Sequence, residues 1–231
     1  MIRTRGEVGL RVTQEADSQH QDADRCKVRR TRVLAVMVVG GLLSGCGATR
    51  PSKYYQLTVP ADAATAAVEK PGAVPVTLLL GTLFTTHLYR EDRIIYGNGA
   101  EEMGTYEYQR WAEPPTEMIE EVLLRELRAS GRYRAVSFRR SNMRGDFAIR
   151  GRLYDFKEVD SRPITARVTL ELEMRDLKTG ATVWTQYYSH DEPVSSKDVP
   201  AIVAALDRNV QRGVKEVVAS LDQYFASHPV K

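Results

Sequence analysis

From Arg167 to Arg175 apolar and polar side chains alternate without a break. Val168, Leu170, Leu172 and Met174 fall on one face of an extended chain, and Arg, Thr and Glu residues fall on the other. Period two marks a strand that buries one side only, whereas a helix would scatter those four side chains around its circumference. The segment therefore demands a sheet with one covered and one wet face, and an apolar layer to cover it. Asp176 to Gly180 is a turn into a second extended run, Ala181 to Ser189, so these two strands predict an antiparallel hairpin. Phe147 to Phe156 supplies a further strand before it.

Two helices are legible as the covering layer. Pro114 and Pro115 open the first, where a missing N–H does no harm. Glu117, Glu120 and Glu121 suit its positive end, Arg125 and Arg128 its negative end. Met118, Ile119, Val122, Leu123 and Leu127 form its apolar stripe, and Gly131 stops it. The second spans about Asp198 to Phe225, with Ile202, Leu206, Val210, Val214, Val217, Leu221 and Phe225 as its stripe. Its length leaves residues over for a homo-oligomer contact. Val76 to Leu83 is a nearly continuous apolar run, which predicts a strand buried on both faces. Ile94 to Tyr96 and Thr105 to Trp111 are strand candidates around the turn Gly97-Asn98-Gly99, and Tyr54 to Val59 has strand composition ahead of an Ala-rich loop, Pro60 to Pro75. The pattern is α+β: a mostly antiparallel β-sheet with two α-helices packed on one face.

The N-terminus carries a different signal. Lys27, Arg29, Arg30 and Arg32 precede an 11-residue apolar stretch, Val33 to Leu43, too short for a bilayer span of roughly 20 residues. Leu43-Ser44-Gly45-Cys46 then resembles the bacterial lipobox, in which the cysteine takes lipid and becomes the first mature residue. Residues 1–45 read as an N-terminal extension and lipoprotein signal peptide, 46–53 as a lipidated tether, and 54–231 as the working domain. Gly47 after the lipidated Cys46 fits sorting to the periplasmic face of the outer membrane. Of 33 Lys and Arg, 8 precede Cys46, and of 30 Asp and Glu, 5 do, so the remainder carries 25 of each. A formally neutral domain argues against nucleic-acid binding, which needs a basic patch.

Chemistry is sparse. Ser189-His190-Asp191-Glu192 is the one place where catalytic residue types crowd together, but neighbours on a strand point to opposite faces. His87, His190 and His228 show no metal-ligand spacing, and no glycine-rich loop for a cofactor's phosphates follows Gly97-Asn98-Gly99. The aromatic stretch Tyr96, Tyr106, Tyr108 and Trp111 is the candidate partner surface, since Tyr and Trp are favoured interface anchors. Tyr106, Tyr108 and Trp111 are its leading residues, with the Tyr89 loop beside them. The alternative packs the same rings beneath the first helix.

Three features together resemble a known family. They are Lys53-Tyr54-Tyr55-Gln56-Leu57 soon after the lipobox, Tyr108-Gln109-Arg110-Trp111-Ala112-Glu113-Pro114-Pro115 leading into a helix that ends Leu127-Arg128-Ala129-Ser130-Gly131-Arg132-Tyr133, and a hairpin with Thr179-Gly180 and Val183-Trp184. The chain is similar to the ABC-type transport auxiliary lipoproteins, the paraquat-inducible protein C-like lipoproteins of MCE-type transport systems. The loop His87 to Arg93 departs from the more apolar stretch of that pattern. The resemblance implies a non-enzymatic envelope component with no cofactor. Its implied partners are an MCE-domain substrate-binding protein and an ABC permease and ATPase, which move lipids or other apolar molecules. A rival reading is an outer-membrane lipoprotein that activates a cell-wall synthase; a peptidoglycan-active enzyme is a third.

Overall fold

The computed structural model describes residues 50–60, 73–98, 102–141 and 143–230. The chain divides into two units, Met1–Arg50 and Pro51–Lys231. The segment read as a signal peptide, Cys46, most of the Ala-rich loop and Gly99 lie outside the described residues.

The second unit runs β1 (Lys53–Tyr55), β2 (Val74–Thr85), a 3-10 turn (His87–Arg90), β3 (Arg93–Gly97), β4 (Gly104–Trp111) and helix α1 (Pro115–Ser130). It continues with β5 (Tyr133–Phe138), β6 (Phe147–Val159), β7 (Thr165–Asp176), β8 (Thr182–Pro193) and helix α2 (Val199–Ser227). The fold is α+β, as the sequence pattern required. Strands β6, β7 and β8 form a long antiparallel meander. The far edge of β6 is shared. Its first half pairs with β2, which carries β5, and its last residues pair with β3, which carries β4 and β1. The sheet is thus a meander that forks at β6.

Both helices lie on the face that the β7 alternation marked as apolar. α2 packs on β7 and β8, α1 on β2 and β5, and the helices touch each other. All seven residues of the predicted α2 stripe are buried. Asp198 caps this helix, its Oδ1 accepting the Ala201 N–H at 2.9 Å. At the end of α1, Gly131 takes the left-handed conformation at φ 61°, where a β-carbon would be strained.

Two bulges keep the faces in phase. Register shifts between Leu80 and Leu83 on β2, and between Leu153 and Asp155 on β6. An inserted residue lets Leu80 and Leu83, or Leu153 and Phe156, share a face despite odd spacing. Both pairs are in the core. Leu79 points the other way and is still buried, because the backbone at Gly145 closes over it; a β-carbon there would come within 2.4 Å of Leu79 Cγ. That accounts for the two-sided burial of β2. β5 has no strict alternation of apolar and polar residues. It is short, it follows α1 after two residues, and parallel pairing with β2 makes it a strand.

Candidate functional site

The aromatic stretch divides between core and surface. Trp111 ends β4 with 1% of its surface exposed, its ring centroid 5.2 Å from that of Phe156. No described protein group accepts a hydrogen bond from its Nε1. Its backbone N–H donates to the Asp92 carbonyl, and the next N–H, of Ala112, to that of Tyr55. Trp111 therefore packs beneath the surface and is not presented to a partner. The β3–β4 pair shifts register before it: Ile95 faces Thr105 but Arg93 faces Arg110. Tyr108, three residues before Trp111, is half-buried. Tyr89 is also buried, so the turn His87–Arg90 does not offer that ring. Burial, and then the charge of Asp155, push the Tyr89 hydroxyl up to about 12.

Tyr106 and Tyr96 form the accessible part. Their rings meet edge to face at 5.1 Å, and the Tyr106 hydroxyl donates to Glu158 Oε2 at 2.6 Å. Burial, then the Glu158 carboxylate, hold that hydroxyl far above the ordinary tyrosine range, so it stays a proton donor. A buried carboxylate thus locks Tyr106, and Tyr106 in turn positions Tyr96. Beside them a cleft of about 250 Å³ is lined by Tyr96, Asn98, Glu102, Met103 and Asp160, with Met103 exposed. Tyr108 stands two residues along β4, its hydroxyl raised chiefly by a hydrogen bond with Glu107. Rigid rings next to an adaptable Met form a surface suited to an apolar partner segment.

The open face of the meander carries a second aromatic set, outside the stretch Tyr96 to Trp111. Phe84 (63% exposed), Tyr154 (42%) and Tyr187 (60%) stand on it among charged residues. In register across the strands, Phe84 faces Arg152, Arg152 faces Glu171, and Glu171 faces Tyr187. Tyr154 donates to Glu171 at 2.9 Å. The available signal was that Tyr154 and Tyr187 occupy outward positions in strands whose inward positions are apolar.

The residues of catalytic type do not converge. Ser189 shares a 3.0 Å hydrogen bond with Thr169, and Asp191 accepts from Arg167 Nε and Nη2 at 2.7 Å each, both on the open face. Arg167 holds the Asp191 carboxyl below the usual carboxylate range. His190 and Glu192 point the other way, 3.5 Å apart. Burial would raise the Glu192 carboxyl, but Arg208, Arg212 and His190 outweigh it and hold it low. Arg208 and Arg212 each donate to it at 3.1 Å, which ties β8 to α2. Among the described residues no three His, Cys, Asp or Glu side chains gather as a metal would need. Also among them, no helix is long and apolar enough to cross a membrane.

Comparison with known proteins assigns the architecture. A crystal structure of a Xanthomonas campestris protein of the DUF330 family superposes with a TM-score of 0.64 at 21% identity, covering 76% of this chain and 99% of that one. An uncharacterized protein superposes at 0.59 and 10% identity, covering 74% and 99%. Both likenesses concern the fold alone. The PelC dodecamer from Paraburkholderia phytofirmans, at 0.37 and 12% identity over 62% of this chain and 90% of that one, is too distant to speak for assembly. No curated protein matches the sequence. The profile of the ABC-type transport auxiliary lipoprotein component matches residues 55–218, from the end of β1 into α2. The chain belongs to that family.

Proposed function

We propose that this protein is a non-enzymatic lipoprotein of an MCE-type ABC transport system that moves lipids or other apolar molecules across the cell envelope. A lipid on Cys46 would hold it to the periplasmic face of the outer membrane. The family assignment over residues 55–218 carries the reading. The separation of Ser189 and Asp191 from His190 onto opposite faces of β8 supports a binding role over a hydrolytic one. Tyr106 and Tyr108, with Tyr96 beside them, are the proposed contact to the MCE-domain protein. Trp111 supports that ledge from within.

Capture from crosslinked envelopes tests the assignment. An MCE-domain protein should come down with the wild-type chain, and its absence would defeat the reading. Tyr108→Ala in folded protein should weaken that capture. The anchor is tested separately: Cys46→Ser should leave an uncleaved or soluble form. A mature-sized species of that variant in the membrane would end the lipidation claim. Sucrose-gradient migration of the wild type with the inner membrane would end the outer-membrane placement.

A further inference from the structure

The bulge in β2 creates a second feature. It frees the Leu83 N–H from the strand ladder, and Glu120 on α1 accepts it through Oε1 at 2.7 Å. Glu120 is 3% exposed, and burial pushes its carboxyl above the usual range, with the Leu83 N–H and Arg140 pulling the other way. Where β5 ends, the Arg139 N–H donates to the Leu80 carbonyl at 2.8 Å, which sets Arg139 and Arg140 over the same bulge. The result is a cleft of about 380 Å³ between β2, α1 and the end of β5. Its charged lining is Arg139, Arg140, Arg150 and Glu120. Arg150 is committed to Glu173. Arg139 and Arg140 are exposed and, among the described residues, have no carboxylate in an ion pair; the Arg140 guanidinium lies 4.0 Å over the Phe138 ring. Phe84 stands on the cleft wall with most of its ring in solvent.

We propose that this cleft binds the headgroup of an aminophospholipid, with Arg139 and Arg140 on the phosphate, Glu120 on the ammonium and Phe84 against the start of the acyl chains. A carboxylate removed from water is costly unless a cation or several donors compensate it, and among the described residues Glu120 has one hydrogen-bond donor, the Leu83 N–H, with the Arg140 charge nearby. Arginines with free guanidinium edges match phosphate oxygens. Opposite charges at two depths, with an apolar ring beside them, fit a ligand that carries both charges and a tail. Inorganic phosphate supplies only the first charge, and an acidic peptide would meet Glu120 with repulsion. The volume lies within the range of small-ligand sites. The biological meaning of the site rests on the lipid-transport reading; its chemistry does not.

The test uses the full-length chain carrying Cys46→Ser. It is titrated calorimetrically with dihexanoyl phosphatidylethanolamine, phosphatidylcholine and phosphatidylglycerol below their micelle concentrations. The ethanolamine lipid should bind about tenfold more tightly than the other two, because choline has no N–H to donate and glycerol no charge. Glu120→Gln keeps an acceptor for the Leu83 N–H and should erase that preference. Arg139→Gln with Arg140→Gln, both exposed, should weaken all three lipids by about tenfold or more. Equal affinity for ethanolamine and choline lipids, no binding of any lipid, or a preference that survives Glu120→Gln would overturn the site. Should Glu120→Gln fail to fold, the lipid series on its parent and the arginine double variant decide the matter. Capture of the MCE-domain partner is read separately, so a failed titration with intact capture removes the headgroup site and leaves the transport reading standing.

Discussion

The two faces of the β6–β7–β8 meander come from the same strands and do opposite work. On the covered face Ile149, Leu153, Val168, Leu170, Leu172 and Met174 meet the α2 stripe with almost no solvent contact. The buried Asn209 there is engaged through both ends of its amide. Asn209 donates to the Ala166 and His190 carbonyls at 2.8 Å and accepts the Tyr188 hydroxyl at 2.6 Å, which stitches β7, β8 and α2 together. On the open face Arg150 pairs with Glu173, Arg167 with Asp191, and Tyr154 with Glu171, all partly in water. Close packing makes the covered face expensive to alter, because removed atoms leave holes. The open face loses little when changed, so it is free to serve recognition.

Substitutions can break this contrast, and the largest effects belong to the covered side. Trp111→Ala should cost about 3–5 kcal/mol, seen as a melting temperature lower by several degrees or more. Trp111→Phe keeps most of the contact with Phe156 and removes a donor that no protein group satisfies, so it should cost less than about 1.5 kcal/mol. A Trp111→Ala protein with unchanged melting and weakened partner capture would return Trp111 to the surface. Leu123→Ala on α1 should follow at about 2–5 kcal/mol by denaturant titration. Asn209→Ala should cost about 2–3 kcal/mol, since it strands the buried Ala166 carbonyl and the half-buried His190 carbonyl; a near-neutral result would mean that the seam between β7, β8 and α2 is not needed.

The open face sharpens the contrast from below. Arg167→Ala should cost about 0.2–1 kcal/mol, as exposed ion pairs do. The sign of its pH dependence is fixed by Asp191, whose carboxyl Arg167 holds low in the folded state. That contribution is full above the unfolded carboxylate value of about 3.9 and fades as pH falls through the lower folded value. Melting curves of wild type and Arg167→Ala should therefore converge in acid. If they diverge instead, the pair does not act as the geometry implies. Tyr187→Ala and His190→Ala should stay within about 0.5 kcal/mol of wild type. Folded His190→Ala protein that had lost transport would revive an enzymatic role.

Local pattern carried most of the elements. Alternation in β7 needs only the two-residue repeat of an extended chain, and the α2 stripe only the helical repeat, so both are readable without knowing what they touch. The paired prolines and Gly131 bounded α1 for the same reason: their backbone preferences are local. The lipobox and the family resemblance are likewise matters of residue order. What order could not decide is where the chain departs from its own period. The bulges in β2, β4 and β6 are defined between paired strands, and the one in β2, set against the distant β6, freed the Leu83 N–H for Glu120 and put Phe84 beside Arg152. β5 became a strand because β2 offered it an edge. Residue order by itself determined which side chains seek cover; the forked sheet decided which aromatics found it, because register is set between strands and not along one.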